Sequence, residues 1–227
     1  MGETIVGKTL VLEVQQDEDA SNPREDWDNL GTMACWHRRY DLGDKPRETE
    51  KMEPVELLQK LRRDGLAALL PLFLYDHSGI TMSTSPFSCP WDSGQVGFIY
   101  VTREKARKEM GWKRLNKARI ARVNEILQGE VKTYDQYLTG EVYWFRLYQK
   151  ETCALCEGDG CRRCDSKGWV EGEEKDACSG FYGHDIRDNG ILDSLSDADM
   201  ADLGIEPETE EERRVRHLRA KARALAF

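Results

Sequence analysis

Cys153, Cys156, Cys161 and Cys164 fall within twelve consecutive residues, Cys153-Ala-Leu-Cys156-Glu-Gly-Asp-Gly-Cys161-Arg-Arg-Cys164. Two C-x-x-C pairs offer four thiolates to one tetrahedral ion, and soft sulfur ligands in that geometry select zinc. Each pair delivers two sulfurs from one tight turn. Gly158 and Gly160 let the chain double back between the pairs without a Cβ penalty. Four protein ligands leave no open position for a substrate, so the spacing predicts a structural Zn2+.

A second group of reactive side chains is spread more widely. Cys35 and His37 precede one loop; Asp76, His77 and Ser78 end an apolar strand; Cys89, Asp92 and Ser93 sit in the loop that follows. Loops at strand ends are where catalytic groups concentrate. His37, Asp76, His77, Cys89 and Asp92 are therefore candidates for the nucleophile and base of a hydrolase, or for a second metal site. The alternative is a packed, inert Cys89 and a His77 that serves its own turn. Neither H-E-x-x-H nor G-x-S-x-G occurs.

A third group is basic. Residues 103–122 hold nine Lys or Arg against two Glu, with Trp112 among them. Arg103, Arg107, Lys108, Lys113, Arg114 and Lys117 are candidates for phosphate contacts. The competing reading is a pair of solvated helix faces.

The elements that must position these groups follow from pattern. Residues 8–15 and Val96–Val101 read as strands, and Thr32–His37, Pro71–Tyr75 and Ile80–Thr84 as further strands. A helix opens at Glu53-Pro54 and ends at Asp64-Gly65. Thr102 caps a short helix. Asn116 caps a longer one, whose Ile120, Val123, Leu127, Val131, Tyr134 and Leu138 recur at three- and four-residue steps before Gly140. Residues 141–149 and 177–183 form the arms of a hairpin with the cysteines at its tip, because a structureless insertion of about 25 residues would be long. Ser194 or Ser196 caps a surface helix ending at Gly204. An amphipathic helix over Pro207–Ala226 follows, acidic first and basic last.

The expected architecture is α+β: a mostly antiparallel sheet, a long packed helix, a zinc-stapled β-hairpin and a helical C-terminal extension. In this reading residues 1–150 and 171–183 form the core domain, 151–170 the zinc-knuckle insertion and 184–227 the extension.

Bulk properties narrow the function. With 227 residues, 39% hydrophobic and 33% charged, the chain can bury a core and present a polar surface. A net charge of -9 argues against a protein that coats nucleic acid, though not against a local basic face. The longest apolar run, Leu66–Tyr75, is shorter than the roughly 18–20 residues of a membrane span and contains Pro71. The N-terminus lacks the basic-then-apolar pattern of a signal peptide. Seven cysteines, four in metal spacing, suit a reducing compartment, so a cytoplasmic location is expected.

Two resemblances add to this. Cys153–Gly160 resembles half of a DnaJ-type cysteine-rich motif, C-x-x-C-x-G-x-G; after Cys164 the pattern departs, with Ser166 where a glycine belongs. The stretches Trp27–Tyr40, Leu74–Gly79, Ser85–Thr102 and Tyr134–Gly140 resemble an uncharacterised family of phage and mobile-element proteins, over roughly residues 8–183. That resemblance implies provenance and no particular mechanism. It points to a non-enzymatic accessory protein that binds a host or phage macromolecule, with nucleic-acid binding and hydrolysis as the alternatives.

Overall fold

Local signals set the helices. Helix α1 (Pro54–Asp64) follows the β1 (Glu3–Val6), β2 (Leu10–Gln16) and β3 (Thr32–Cys35) strands. Glu53 and Glu56 close a capping box at its start, and Gly65 ends it at φ 84°. Strands β4 (Leu66–Asp76), β5 (Ile80–Ser83) and β6 (Ser93–Thr102) come next. The Thr102 side chain caps α2 (Arg103–Glu109), and the Asn116 side chain caps α3 (Lys117–Leu138). Strands β7 (Val142–Thr152) and β8 (Trp169–Tyr182) and helix α4 (Asp197–Leu203), capped by Ser196, complete the set.

The computed structural model describes residues 2–44, 52–206, 208–212 and 214. The fold is α+β, and every strand pairing in it is antiparallel. The strands form two four-stranded sheets, β1-β2-β7-β8 and β3-β6-β4-β5. The chain correspondingly divides into two compact units: unit 1 is residues 1–20 with 140 onward, and unit 2 is residues 21–139. Residues 1–150 and 171–183, grouped above as one core domain, are thus shared between the two.

In unit 2 the apolar stripe of α3 is buried through Val123, Leu127, Val131 and Tyr134 against Met33, Leu72, Leu74, Ile99 and Val101 of the sheet. Burying each Val or Leu contributes about 1.5–3 kcal/mol. Neighbouring strand residues point the other way, as the two-residue period requires. Ala34 and Tyr100 accordingly pack against Leu57 and Leu61 of α1.

In unit 1, β7 and β8 form the expected hairpin, with longer arms. The ladder extends to the Thr152–Trp169 pair, so the cysteine turn occupies residues 153–168. The segment after β8 is no free surface helix. Ile191, Leu195, Leu203 and Ile205 are buried with Leu10, Leu12, Val14, Phe145 and Leu147. These apolar side chains need a face to cover, and the sheet supplies one. Asp202 locks the contact: its carboxylate accepts from Thr9 N–H, the Thr9 hydroxyl and Leu10 N–H at 2.8–3.1 Å. Beyond its capped start at Thr209 and Glu212, the amphipathic helix expected over Pro207–Ala226 lies outside the described residues. Among the described residues, no helix is long and apolar enough to cross a membrane.

Candidate metal centre and binding cleft

The knuckle at the hairpin tip gathers all four predicted cysteines. Their sulfurs lie within 4.8 Å of one another. Cys153–Cys161, Cys156–Cys164 and Cys161–Cys164 are each 3.8 Å apart. A tetrahedral site with metal–sulfur bonds of about 2.3 Å has edges of about 3.8 Å, so these three sulfur–sulfur distances match its edges. The same spacing is far beyond the ~2.05 Å of a disulfide.

The backbone is shaped to hold those corners. Gly160 N–H donates to Cys156 Sγ and Cys161 N–H to Cys164 Sγ, both at 3.2 Å. The Cys161 N–H is the main reason the Cys164 thiol is lowered to about 6. The Leu155 N–H likewise lowers Cys153. Burial pushes Cys156 up to about 11. A coordinated cation would deprotonate all four outright. Gly168 sits at φ 76°, where a Cβ would stand 2.3 Å from the Gly158 carbonyl oxygen. Ser166 takes φ 62°, a left-handed conformation that favours glycine. The four residues could therefore hold one metal ion. Among the described residues no second group of three or more His, Cys, Asp or Glu side chains converges in this way.

The second predicted set collects around a cleft in unit 2. An open cleft of about 580 Å³ is lined by Trp36, His37, Arg38, Arg39, Asp76, Trp91, Asp92 and the strand residues 93–96. Asp76 Oδ1 accepts from the Tyr40 hydroxyl at 3.1 Å, and Asp76 also pairs with Arg39. His37 Nδ1 accepts from the N–H groups of Arg39 and Tyr40, and its ring stacks on Tyr40. Asp92 Oδ2 lies 3.3 Å from His77 Nδ1 and accepts from the Cys89 thiol at 3.6 Å. His37, Asp76 and Asp92 thus share one cleft, while His77 and Cys89 reach it through Asp92. Cys35 stands apart from this set. Burial, with Asp44 nearby, pushes its thiol up to about 12, so it is a packed sulfur.

The sheet explains the opening. Strand β3 follows β6 as far as the Cys35–Gly97 pair, after which Trp36 N–H donates to the Val96 carbonyl at 2.7 Å. Strand β4 follows β6 three residues further, to the Tyr75–Ser93 pair. Residues 93–95 are therefore a short sheet edge on their β3 side, facing the cleft.

Sequence reasoning missed an ion network in unit 2. The Arg24 side chain, 1% exposed, pairs with Asp44 at 2.6 Å and with Glu130 at 2.9 Å. Asp44 also accepts from Met33 N–H, and Glu130 from the N–H groups of Leu30 and Gly31. The legible signal was Glu130: it lies three residues after Leu127 and four before Tyr134, a carboxylate on the apolar stripe. Arg24 and Asp44 sit in stretches that read as polar loops and carry no such mark.

The six basic candidates lie elsewhere in unit 2. Arg103, Arg107, Lys108, Lys113, Arg114 and Lys117 are all exposed, on α2, the loop after it and the first residue of α3. Strand β6 runs from the cleft at Ser93 to the start of α2 at Thr102, which separates the two regions by about 30 Å.

Comparison with protein-family models, with curated proteins and with solved structures finds no match.

Proposed function

We propose that this chain is a non-enzymatic accessory protein of a phage or mobile element, acting in the host-cell cytoplasm on a host or phage protein of defence or DNA metabolism. Its knuckle holds one structural zinc, and the cleft of unit 2 takes an extended segment of the partner. Four sulfurs within 4.8 Å of one another and an all-thiolate donor set support zinc. With four protein ligands the ion closes the hairpin and offers no site for chemistry.

The observation that carries the binding reading is the sheet edge at residues 93–95, open beside Trp36 and Trp91. An extended segment can add to such an edge through main-chain hydrogen bonds. Trp91, 90% exposed, is placed to act as its anchor. Arg38 and Arg39 together with Asp76 and Asp92 offer both signs of charge for specificity. The hydrolase reading has less support. Asp92 stands between Cys89 and His77, so among the described residues the thiol meets a carboxylate where a nucleophile needs its base.

Affinity capture from infected cells, with Trp91→Ala and wild type in parallel, tests this. Truncating an anchoring tryptophan costs about 2 kcal/mol or more, so recovery of the partner falls by about 30-fold. Equal recovery by both proteins overturns the cleft as the binding site. Peptide or ester hydrolysis that Cys89→Ser abolishes would replace this reading with the enzymatic one.

A further inference from the structure

We infer that α2, the loop after it and the start of α3 form a nucleic-acid-binding surface that grips the phosphate backbone. The nine cations of residues 103–122 divide into two classes. Three are used within the protein. Lys105 Nζ donates to the Asn29 carbonyl at 3.0 Å. Arg119 lies over the Trp112 ring at 5.2 Å and donates to the Arg114 carbonyl at 2.6 Å. Arg122 pairs with Glu125 at 3.0 Å. The other six, Arg103, Arg107, Lys108, Lys113, Arg114 and Lys117, are exposed, and none forms an ion pair among the described residues; Arg107 Nε donates to the Arg103 carbonyl one turn back at 3.3 Å, which leaves its charge unneutralised.

The charge is segregated as well as exposed. Nine cations against two anions give +7 in twenty residues of a chain whose net charge is -9. Unneutralised cations crowded this closely repel one another, a cost that a polyanion removes.

The character of the surface favours nucleic acid over an acidic protein. Protein interfaces centre on an aromatic or apolar anchor in a desolvated pocket. Here the one aromatic, Trp112, is half-buried beneath Arg119 and packs on the unit 2 core, so the rim presents long cations without an anchor. Phosphates repeat along a duplex at close intervals, and flexible Lys and Arg meet them without fixed register. The Asn116 amide oxygen is committed to capping α3, and contacts from the six cations to phosphates carry no sequence information, so binding is independent of sequence. It lies at the far end of β6 from the cleft, so both sites can be filled at once.

Fluorescence anisotropy with a short labelled DNA duplex, titrated at several salt concentrations, tests the inference. Six phosphate contacts predict a slope of log K against log salt of about -5, and a loss of about a thousandfold in affinity between about 50 and 200 mM salt. Lys113→Gln, Arg114→Gln and Lys117→Gln together should flatten the slope by about 3. Arg103→Gln, Arg107→Gln and Lys108→Gln together should act equally, and all six positions are exposed, so neither set should disturb the fold. Arg162→Gln with Arg163→Gln, exposed cations of the knuckle, should leave the slope unchanged. No binding at low salt, a slope indifferent to both triple variants, or a loss confined to the knuckle pair overturns the inference. So does polyglutamate competing as well as unlabelled duplex, which would mark the surface as a dock for acidic protein.

Discussion

The knuckle draws its four sulfurs from twelve consecutive residues, whereas the cleft draws its walls from residues 36–39, from Leu74 and Asp76, and from residues 91–96. Closing a short loop costs little chain entropy, and one ion can supply most of the energy that orders it. The cleft has no such clasp. Its walls stay in place only while β3, β6 and β4 remain paired and the Arg24 network holds the chain on both sides of β3. One region could be ordered by a metal ion, and the other is ordered by the fold. They should therefore fail independently.

The most severe test of that independence is Cys161→Ser. Three thiolates and a hydroxyl form a much poorer site for a soft-ligand metal, and metal binding here is folding free energy for the turn. Metal content should fall from one equivalent to none. Amide exchange should lose protection across residues 153–168 while unit 2 keeps its own. If the β3-β6-β4-β5 sheet opens along with the knuckle, the two regions are not independent.

Arg24→Met probes the other side. Removing one partner from a buried ion pair typically costs about 3–5 kcal/mol, because the remaining charge loses its compensation. Here Asp44 and Glu130 would both be left facing an apolar stem. Unit 2 should unfold at a clearly lower denaturant concentration, and capture of a partner through the cleft should weaken with it. The knuckle should retain its metal, checked by metal analysis of the same sample. Metal loss in this variant would break the comparison from the opposite direction.

The contrast also governs what could be read from the chain. Where a structure is specified within a few residues, the pattern was legible: the cysteine spacing, the caps at Thr102 and Asn116, the cap at Ser196 as one of two serine choices, the stop at Gly65. Pairings such as Leu10 with Gln149 join residues far apart in the chain, and nothing local in either strand names its partner. The division of the strands between two sheets was hidden for that reason. The four-residue β1 carried too little pattern to be noticed. Of the cleft, its residue types were visible and their convergence was not. The contacts of Asp92 with His77 and Cys89 depend on the turn joining β4 to β5 and the loop leading into β6.

Asp202 puts the contrast under its finest strain, because it shows unit 1 depending on a long-range contact of its own. Its carboxylate joins α4 to the turn before β2, across 193 residues of chain. Burial opposes its charge, but the Thr9 and Leu10 N–H groups and the Thr9 hydroxyl outweigh that and hold the carboxyl below its ordinary value. A carboxyl lowered in the folded state contributes stability above its unfolded value, near pH 4, and that contribution fades as pH falls through the folded value. Asp202→Asn should therefore cost unit 1 about 1–2 kcal/mol at neutral pH, the low end expected for a partly exposed group. The difference from wild type should shrink as the pH drops below about 4, measured by urea unfolding at each pH. A difference that persists undiminished in acid would assign the contact to shape rather than charge. Loss of metal on this substitution would show that the knuckle is not self-sufficient and is held in part by the docking of α4.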